Sequence, residues 1–471
     1  MAKQIFETSE GKRVYRGGFV IDGTLDCKAV RADVVTENGR IVSVGESEDA
    51  RAQVFDCTGS YLLPGLINLH AHLFGTGKPS KTLGGGGAQK LILRYVKTKA
   101  GHRTLDRLVA GHVLAELESG VTTVRGVGDF EGSDLRVRDA VRAGKLLGPR
   151  MFCSGTAITV PTGHGDGTFA RTADSSDGLV RLVEEQYHAG ADFIKICVTG
   201  GVMDAKKKGC PGELKMSLEQ TAAVCSRAHE FGLRVASHTE SPEGMRVAIE
   251  GGVDTIEHSA AFDEPLQKLL KERGGGVVLT FSPALPLARL SPGVTKLNPL
   301  CVYNSEVVLD GMCAGGRTAM EAGILVGLGT DASCPFAAQY NMPGRKNPSR
   351  RVLYSPKSGL CFGSGSGRRG TSVNRGVFGG IRHIVDCLGG DGSLVLFSFQ
   401  RRLGLVFKHE LEQNRAEHRR KDNQENGGNQ RIDAEQLAVI HIDQTLAGCV
   451  NSQSDFAAGN HSAANGQRFA A

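Results

Sequence analysis

The sequence LPGLINLHAH, residues 63–72, is the stretch around which the rest of the chain is arranged. Its apolar run predicts a buried β-strand that ends in His70 and His72. Residues i and i+2 of a strand point to the same side, so both imidazoles should face one direction where the strand meets a loop. Two such histidines can form half of a metal site, and the other ligands must then come from later in the chain.

From residue 65 onwards, short apolar segments alternate with longer amphipathic ones. The candidate strands are Leu66–Ala71, Thr122–Val127, Arg150–Gly155, Phe193–Val198, Arg234–His238, Thr255–His258, Gly276–Phe281 and Leu325–Gly329. The candidate helices between them include Leu105–Ser119, Asp177–Ala189, Leu218–Phe231, Pro242–Glu250 and Ser305–Ala322. Eight strands with helical crossovers predict an α/β fold, a (β/α)₈ TIM barrel with its active site at the C-terminal ends of the strands.

The barrel is predicted over residues 63–342, between two regions of different character. Residues 1–62 predict part of a small β-sandwich domain, in which Asn38-Gly39 forms the turn of a hairpin. Residues 343–471 are an atypical region, rich in Gly, Ser and Arg and then strongly polar, and we expect no strand there to return to the small domain. This region is either a replacement domain or the product of a shifted reading frame.

Composition and charge indicate a soluble enzyme. The 471 residues are 40% hydrophobic and 23% charged, and the net charge of +6 is too small to indicate nucleic-acid binding. The twelve cysteines form no Cys-x-x-Cys motif, and neither a signal peptide nor a membrane span is evident. We therefore predict a cytoplasmic protein with a small-molecule substrate and no nucleic-acid or membrane partner. A homo-oligomer remains open.

Further residues with metal-binding chemistry fall at the predicted strand ends. Lys195 lies inside strand 4, where a charged amine is costly unless it is neutralised or paired. His238 ends strand 5, His258 ends strand 6 and Asp331 follows strand 8. Each residue alone has a structural explanation, since a buried lysine can extend to solvent and an Asp after Gly-Thr can cap a turn. Their shared register favours a common site.

These motifs together resemble the amidohydrolase superfamily, and most closely its imidazolonepropionase-like and Xaa-Pro-dipeptidase-like members. The matching segments are Pro64–His72, Ile194–Ile196, Thr199–Gly201, Ser237-His238, Glu257-His258 and Gly329–Asp331, with Gly163–Gly165 in the loop after strand 3. The resemblance implies two divalent metal ions, usually Zn²⁺, one held by His70, His72 and Asp331 and the other by His238 and His258, with Lys195 as a ligand of both. It also implies that Lys195 is N6-carboxylated and bridges the two ions.

The expected reaction is hydrolysis of a C–N bond by a metal-bridged hydroxide. The resemblance implies that Asp331 acts as general base and then as acid, and that His164 hydrogen-bonds the substrate carbonyl or the tetrahedral intermediate. The substrate would be an amide, a cyclic amide, an N-acyl amino acid or a dipeptide. Specificity does not carry over, because Thr239-Glu240 stands where we expect many relatives to have an aromatic residue. An esterase or lactonase, or a non-catalytic relic with an aberrant C-terminus, are the alternatives.

Overall fold

A computed structural model describes residues 11–23, 29–47, 51–77, 87–295, 299–334, 337, 352–355 and 359–362. Most of the predicted atypical region, residues 343–471, lies outside the described residues. The fold below therefore concerns the small β unit, the barrel and two short strands that follow it.

The N-terminal residues form a small β unit. Its first strands are β1 (Lys12–Val20), β2 (Val30–Glu37), β3 (Arg40–Gly45), β4 (Gln53–Asp56) and β5 (Tyr61–Leu63). The predicted hairpin joins β2 to β3, where Asn38 has a φ of 49° and Gly39 a φ of 77°. A type I′ turn needs positive φ at both central residues, which Asn and Gly tolerate. The hairpin prediction is therefore confirmed.

The next ten strands include the eight of the barrel. They are β6 (Leu66–Ala71), β7 (Val121–Gly126), β8 (Arg150–Cys153), β9 (Ala157–Thr159), β10 (Ala170–Thr172), β11 (Ile194–Cys197), β12 (Val235–Thr239), β13 (Thr255–His258), β14 (Gly276–Leu279) and β15 (Leu325–Leu328). All eight predicted strands are present, within one or two residues of their predicted ends. The added strands β9 and β10 follow β8 and belong to the same sheet as β11, with which β9 pairs in parallel. The TIM-barrel prediction is confirmed.

The barrel strands run parallel in two sheets that hydrogen bonds join. One sheet has the order β6-β7-β8, and the other has the order β10-β9-β11-β12-β13-β14-β15. At one junction the Thr330 amide donates to the His70 carbonyl at 3.0 Å, and the His72 amide donates to the Ala332 carbonyl at 3.1 Å. These bonds place the first barrel strand beside the segment after the last one. Asp331 is thereby brought next to the paired histidines.

Ten helices surround these strands in the described residues. They are α1 (Gly87–Val96), α2 (Lys99–Glu118), α3 (Ser133–Arg142), α4 (Ser176–His188), α5 (Leu218–Glu230), α6 (Pro242–Glu250), α7 (Glu264–Glu272), α8 (Phe281–Arg289), α9 (Pro292–Thr295) and α10 (Pro299–Glu321). A 3₁₀ turn, Phe130–Gly132, precedes α3. None of the described helices meets the length and hydrophobicity that a membrane crossing requires.

The main core lies between the strands and the helices, and it determines which side chains face the barrel interior. Ile194 and Ile196 of β11 are fully buried and share this core with Leu179 of α4 and Val224 of α5. Side chains alternate along a strand, so Lys195 must point to the opposite side. The lysine is thus directed into the barrel by the packing of its neighbours.

Two strands after the barrel correct one sequence-based expectation. Strand β16 (Val352–Ser355) pairs with β17 (Gly359–Phe362), and β17 pairs antiparallel with β5 of the small unit. In the described residues the small unit thus forms a seven-stranded sheet that includes both. The expectation that no strand after residue 342 joins it is wrong. The segments VLYS and GLCF are too short to stand out from the glycine, serine and arginine around them.

Candidate metal centre

The first group of candidate ligands is His70, His72 and Asp331. One ligand atom of each lies within 4.8 Å of the others. Asp331 Oδ1 is 3.4 Å from His70 Nε2 and 3.5 Å from His72 Nε2. These separations are longer than a good hydrogen bond. Among the described residues, His70 Nε2 and Asp331 Oδ1 are buried without a hydrogen-bond partner. Buried polar atoms that lack a partner are costly, and a bound cation would satisfy both.

The other nitrogen of each imidazole in this group is held in place. His70 Nδ1 donates to Glu257 Oε2 at 2.6 Å, and His72 Nδ1 donates to the carbonyl oxygen of Gly128 at 2.6 Å. Because a carbonyl oxygen only accepts hydrogen bonds, the proton of His72 must be on Nδ1. The lone pair of each ring is therefore on Nε2, which faces Asp331. Outer hydrogen bonds of this kind orient metal-binding histidines.

Protonation in this group also suits metal binding. Burial lowers the pKa of His72 to about 3, so the imidazole is neutral at neutral pH. Burial acts to raise the pKa of Asp331, but the adjacent His70 and His72 outweigh it and hold that pKa below its usual range. His72 therefore offers a neutral imidazole and Asp331 a carboxylate, and these are the protonation states that ligate divalent metals.

A second group consists of His238, Glu240 and His258, whose ligand atoms also lie within 4.8 Å of one another. His238 Nε2 donates to the Gly200 carbonyl at 3.2 Å, and His258 Nδ1 bonds the Thr280 hydroxyl at 2.6 Å. Burial lowers the pKa of both histidines well below the ordinary value. Both imidazoles are neutral, and each has one nitrogen left for a metal. The membership of Glu240 was not foreseen from the sequence.

Lys195 is related to both groups. Its side chain is almost completely buried, and this burial lowers its pKa. Its charge influences the pKa of His72 and Asp331 in the first group, and of His238 and His258 in the second. Lys195 thus lies within electrostatic reach of both groups.

His164 lies over the second group, as the loop position suggested. Its ring stacks on the ring of His238, with centroids 4.1 Å apart and planes 13° apart. Its Nδ1 is 2.5 Å from Asp204 Oδ2, which also accepts a bond from the Gly201 amide at 3.0 Å. Sequence reasoning missed Asp204, although it is an acidic residue in the loop directly after the Thr-Gly-Gly motif. Asp204 orients the ring and leaves its other nitrogen available.

Glu257 is a second residue whose importance was missed. It is fully buried, accepts bonds from His70 and from the Thr255 hydroxyl at 2.9 Å, and pairs with Arg125 Nη2 at 2.5 Å. Burial alone would raise its pKa, but Arg125 and His70 lower the pKa to about 2. Strand alternation separates Glu257 from His258, yet both reach the centre because His258 has a φ of 72° at the strand end.

Aromatic side chains border the same centre. Phe169 lies 4.8 Å from the His72 ring and 5.5 Å from the His164 ring, measured between centroids. Phe74 packs against Phe130 with centroids 4.5 Å apart, and it also neighbours Phe169. These rings form an apolar wall beside the candidate ligands. Such a wall suits an apolar part of a small substrate.

Comparisons with known proteins show which family this chain is similar to. The model of the amidohydrolase family matches residues 61–377. An ochratoxinase from Aspergillus niger is 26% identical over 363 residues, which cover 70% of this chain and 71% of that protein. An imidazolonepropionase from Methylobacterium nodulans is 26% identical over 317 residues, which cover 62% of this chain and 75% of that protein.

A solved structure is similar over a comparable range. The crystal structure of a candidate prolidase from Bifidobacterium longum has a TM-score of 0.59 to this chain at 32% sequence identity. The match covers 71% of this chain and 76% of that chain. The matched region of the family model contains every residue in the two ligand groups.

Proposed function

The chain belongs to the amidohydrolase family and is a hydrolase of carbon–nitrogen bonds, and we propose that it cleaves a small amide at the centre described above. The substrate class is an amide, a cyclic amide, an N-acyl amino acid or a dipeptide. One observation supports this proposal most directly. The ring nitrogen of His70 and the carboxylate oxygen of Asp331 are buried and face each other without a partner.

The proposed cofactors are two divalent metal ions, most simply Zn²⁺. The donor set suits them, because neutral imidazole and carboxylate are ordinary zinc ligands. The ligands proposed are His70, His72 and Asp331 for one ion, His238 and His258 for the other, and Lys195 for both. When bound, the ions would lower the pKa of a water molecule to about 7 and polarise the scissile carbonyl.

Lys195 would take part as its N6-carboxylated form. An ammonium group repels metal ions, whereas burial favours the neutral amine of this residue. The amine nitrogen can add to carbon dioxide, which forms one N–C bond and releases one proton. The carbamate has two oxygens on the same stem that share one negative charge. It could therefore contact both ligand groups, within whose electrostatic reach the lysine lies.

Asp331 and His164 would move and hold protons during the reaction. The carboxylate of Asp331 is ionised at neutral pH, so it can accept a proton from the attacking water and pass it to the leaving amine. Asp204 holds the Nδ1 proton of His164, and Nε2 can then interact with the substrate carbonyl oxygen or with the tetrahedral intermediate. Phe169 would exclude water from this side of the site.

We also propose a cytoplasmic location, with a small-molecule substrate and neither a nucleic acid nor a membrane as partner. The buried thiols of Cys153, Cys197 and Cys225 suit a reducing compartment in which they act as small apolar residues. Assembly into a homo-oligomer is left to a measurement of mass in solution.

The test is metal content together with turnover. Elemental analysis of purified protein should find two divalent ions per chain, and Lys195→Ala and His72→Asn should each reduce this number. His188→Asn is the matched control, because His188 is exposed on α4 and should leave the metal content unchanged. The metal-loaded protein should hydrolyse members of a panel of N-acyl amino acids, dipeptides and cyclic amides.

Two outcomes would contradict the proposal. A well-folded protein that binds no divalent metal would exclude the centre described here. Cleavage of esters or lactones, without cleavage of the amides that carry the same acyl group, would assign the site to the alternative hydrolase reaction.

A further inference from the structure

Glu240 stands at a position from which its side chain can reach the second pair of histidines. It follows β12 directly and is two residues after His238, so both side chains leave the strand on the same side. A carboxylate oxygen of Glu240, a ring nitrogen of His238 and a ring nitrogen of His258 lie within 4.8 Å of one another. Three ligand atoms at this spacing surround a point that one ion can occupy.

The carboxylate is held in this position from its own backbone. The Glu240 amide donates to the Thr199 hydroxyl at 3.1 Å. A Cβ placed on Gly212 would lie 2.5 Å from the carbonyl carbon and oxygen of Glu240, so that loop packs directly against this backbone. The amide of Val202 donates a hydrogen bond to the carboxylate. The backbone of Glu240 is thus held in place, and the Val202 amide holds one side of its carboxylate.

One oxygen of this fixed carboxylate is left without a partner. Glu240 Oε2 is buried and has no hydrogen bond to any of the described residues. Leaving a buried acceptor unpaired is unfavourable. Burial, and then the nearby Asp331 and Asp204, raise the pKa of Glu240 to about 8, and a cation bound at Oε2 would offset this unfavourable environment of the ionised carboxylate. The two histidines contribute neutral rings whose other nitrogens are already committed to Gly200 and Thr280.

We propose that Glu240 is a third protein ligand, beside His238 and His258, for the divalent ion of the second group. This inference rests on the proposed function and extends it, because it adds Glu240 to the ligands proposed for that ion and predicts that some binding there persists without Lys195. Two imidazoles and one carboxylate are a known donor set for zinc that leaves a fourth position open. The lysine then couples two sites that can each bind an ion.

The experiment measures metal binding directly and requires no substrate. The full-length protein is freed of metal with a chelator and titrated with Zn²⁺ by calorimetry, and the bound ions are counted by elemental analysis. Glu240→Gln keeps the shape of the side chain but cannot ionise. We expect the ion of the second group to lose affinity by more than the about 10–100-fold that is typical of changes outside a ligand set. The Lys195→Ala variant should still bind an ion in the second group. The double variant Lys195→Ala with His258→Ala should lose that ion.

Two controls separate this effect from misfolding. Glu243→Gln changes an exposed glutamate three residues further along and should bind both ions as the wild type does. Circular dichroism confirms the fold of each variant, and Glu240→Asp provides a second variant that keeps the charge but shortens its reach. Partial recovery of affinity in Glu240→Asp relative to Glu240→Gln would support direct ligation.

Several results would overturn the inference. If Glu240→Gln binds two ions with the affinity of the wild type, Glu240 is not a ligand. If that variant retains both ions but changes its preference between cationic and neutral substrates, Glu240 contacts the substrate instead. If the folded wild type binds no divalent ion at all, the proposed function fails together with this inference. The first two results leave the proposed function intact and refute only the role of Glu240.

Discussion

Replacement of Glu257 by glutamine should disturb both the stability of the fold and the affinity for metal. Glu257 connects a candidate ligand to a buried positive charge, since its two oxygens contact His70 Nδ1 at 2.6 Å and Arg125 Nη2 at 2.5 Å. Glutamine has almost the same shape, but it removes the negative charge. The Arg125 guanidinium would then remain mostly buried without its counter-charge, and the orientation of His70 would be less strongly held.

Two independent estimates of the energy agree. Removal of one partner from a buried ion pair costs about 3–5 kcal/mol, because the remaining charge stays buried. The pKa of Glu257 is lowered from its ordinary value of 4.5 to about 2. At 1.36 kcal/mol per unit, this lowering corresponds to roughly 3 kcal/mol of stabilisation of the ionised form. We therefore expect Glu257→Gln to lower the free energy of unfolding by about 3–5 kcal/mol, and to weaken metal binding about 10–100-fold.

Urea denaturation of the metal-free protein measures the first effect, and calorimetric metal titration measures the second. Glu250→Gln is the control, since Glu250 forms an exposed ion pair with Arg246 at 2.9 Å along α6. Pairs of that kind contribute about 0.3–0.5 kcal/mol. The same chemical change on the surface should thus cost far less than the change at Glu257.

The dependence on pH provides a further check. Because the pKa of Glu257 is depressed in the folded state, its stabilisation is fully present above about pH 4.5 and is lost as the pH falls towards about 2. The difference in stability between wild type and Glu257→Gln should shrink over that range. The reasoning would be refuted if Glu257→Gln cost no more than Glu250→Gln at neutral pH and its acid unfolding matched that of the wild type.

Three further predictions concern the surroundings of the site. Gly201→Ala places a Cβ 3.0 Å from the His164 ring and 3.3 Å from His238 Nε2. We therefore expect kcat/KM to fall about 10–100-fold, and unaltered kinetics would contradict this. Burial raises the pKa of Glu116 to about 7. Between pH 4.5 and 7, the free energy of unfolding of the wild type in urea should therefore fall by roughly 3 kcal/mol relative to that of Glu116→Gln. Glu118→Gln, at an exposed site, should show no such trend. Asn68→Ala removes two side-chain hydrogen bonds, of 2.8 and 3.0 Å, to Thr330 in the segment after the last barrel strand. The free energy of unfolding should fall by roughly 2–3 kcal/mol. A loss under about 0.5 kcal/mol would count against a role of these bonds in joining the first barrel strand to that segment.

The strands were predictable because a buried parallel strand has a strong local signal. Each of the eight is a short apolar run between glycines or polar residues, and the structure has all of them within one or two residues of the prediction. Some helices were not predicted. The segment Phe281–Arg289 contains Pro286, which normally argues against a helix, and Glu264–Glu272 was also not predicted. Tertiary packing stabilises such segments, and local sequence does not reveal it.

The candidate site was predictable only in part. The histidines His70 and His72 share a strand at a spacing of two, so their common direction follows from strand geometry alone. Arg125 and Glu257 meet across the barrel interior from strands separated by more than a hundred positions, and no local pattern connects them. Glu240 could have been found by the same spacing of two from His238. It was interpreted only as a substitution for an expected aromatic residue.

By itself the sequence determined the class of fold and the chemical inventory of the site. The apolar periodicity, the hairpin turn and the positions of the histidines at strand ends all depend on residues that are neighbours along the chain. The sequence alone therefore reveals them. Only the tertiary structure decided that Glu240 lies with the second pair of histidines, which ring nitrogen of each histidine carries the proton, and which acids and bases support them. Those features depend on contacts between distant segments that barrel closure brings together, and the return of residues 359–362 to the small sheet is decided in the same way.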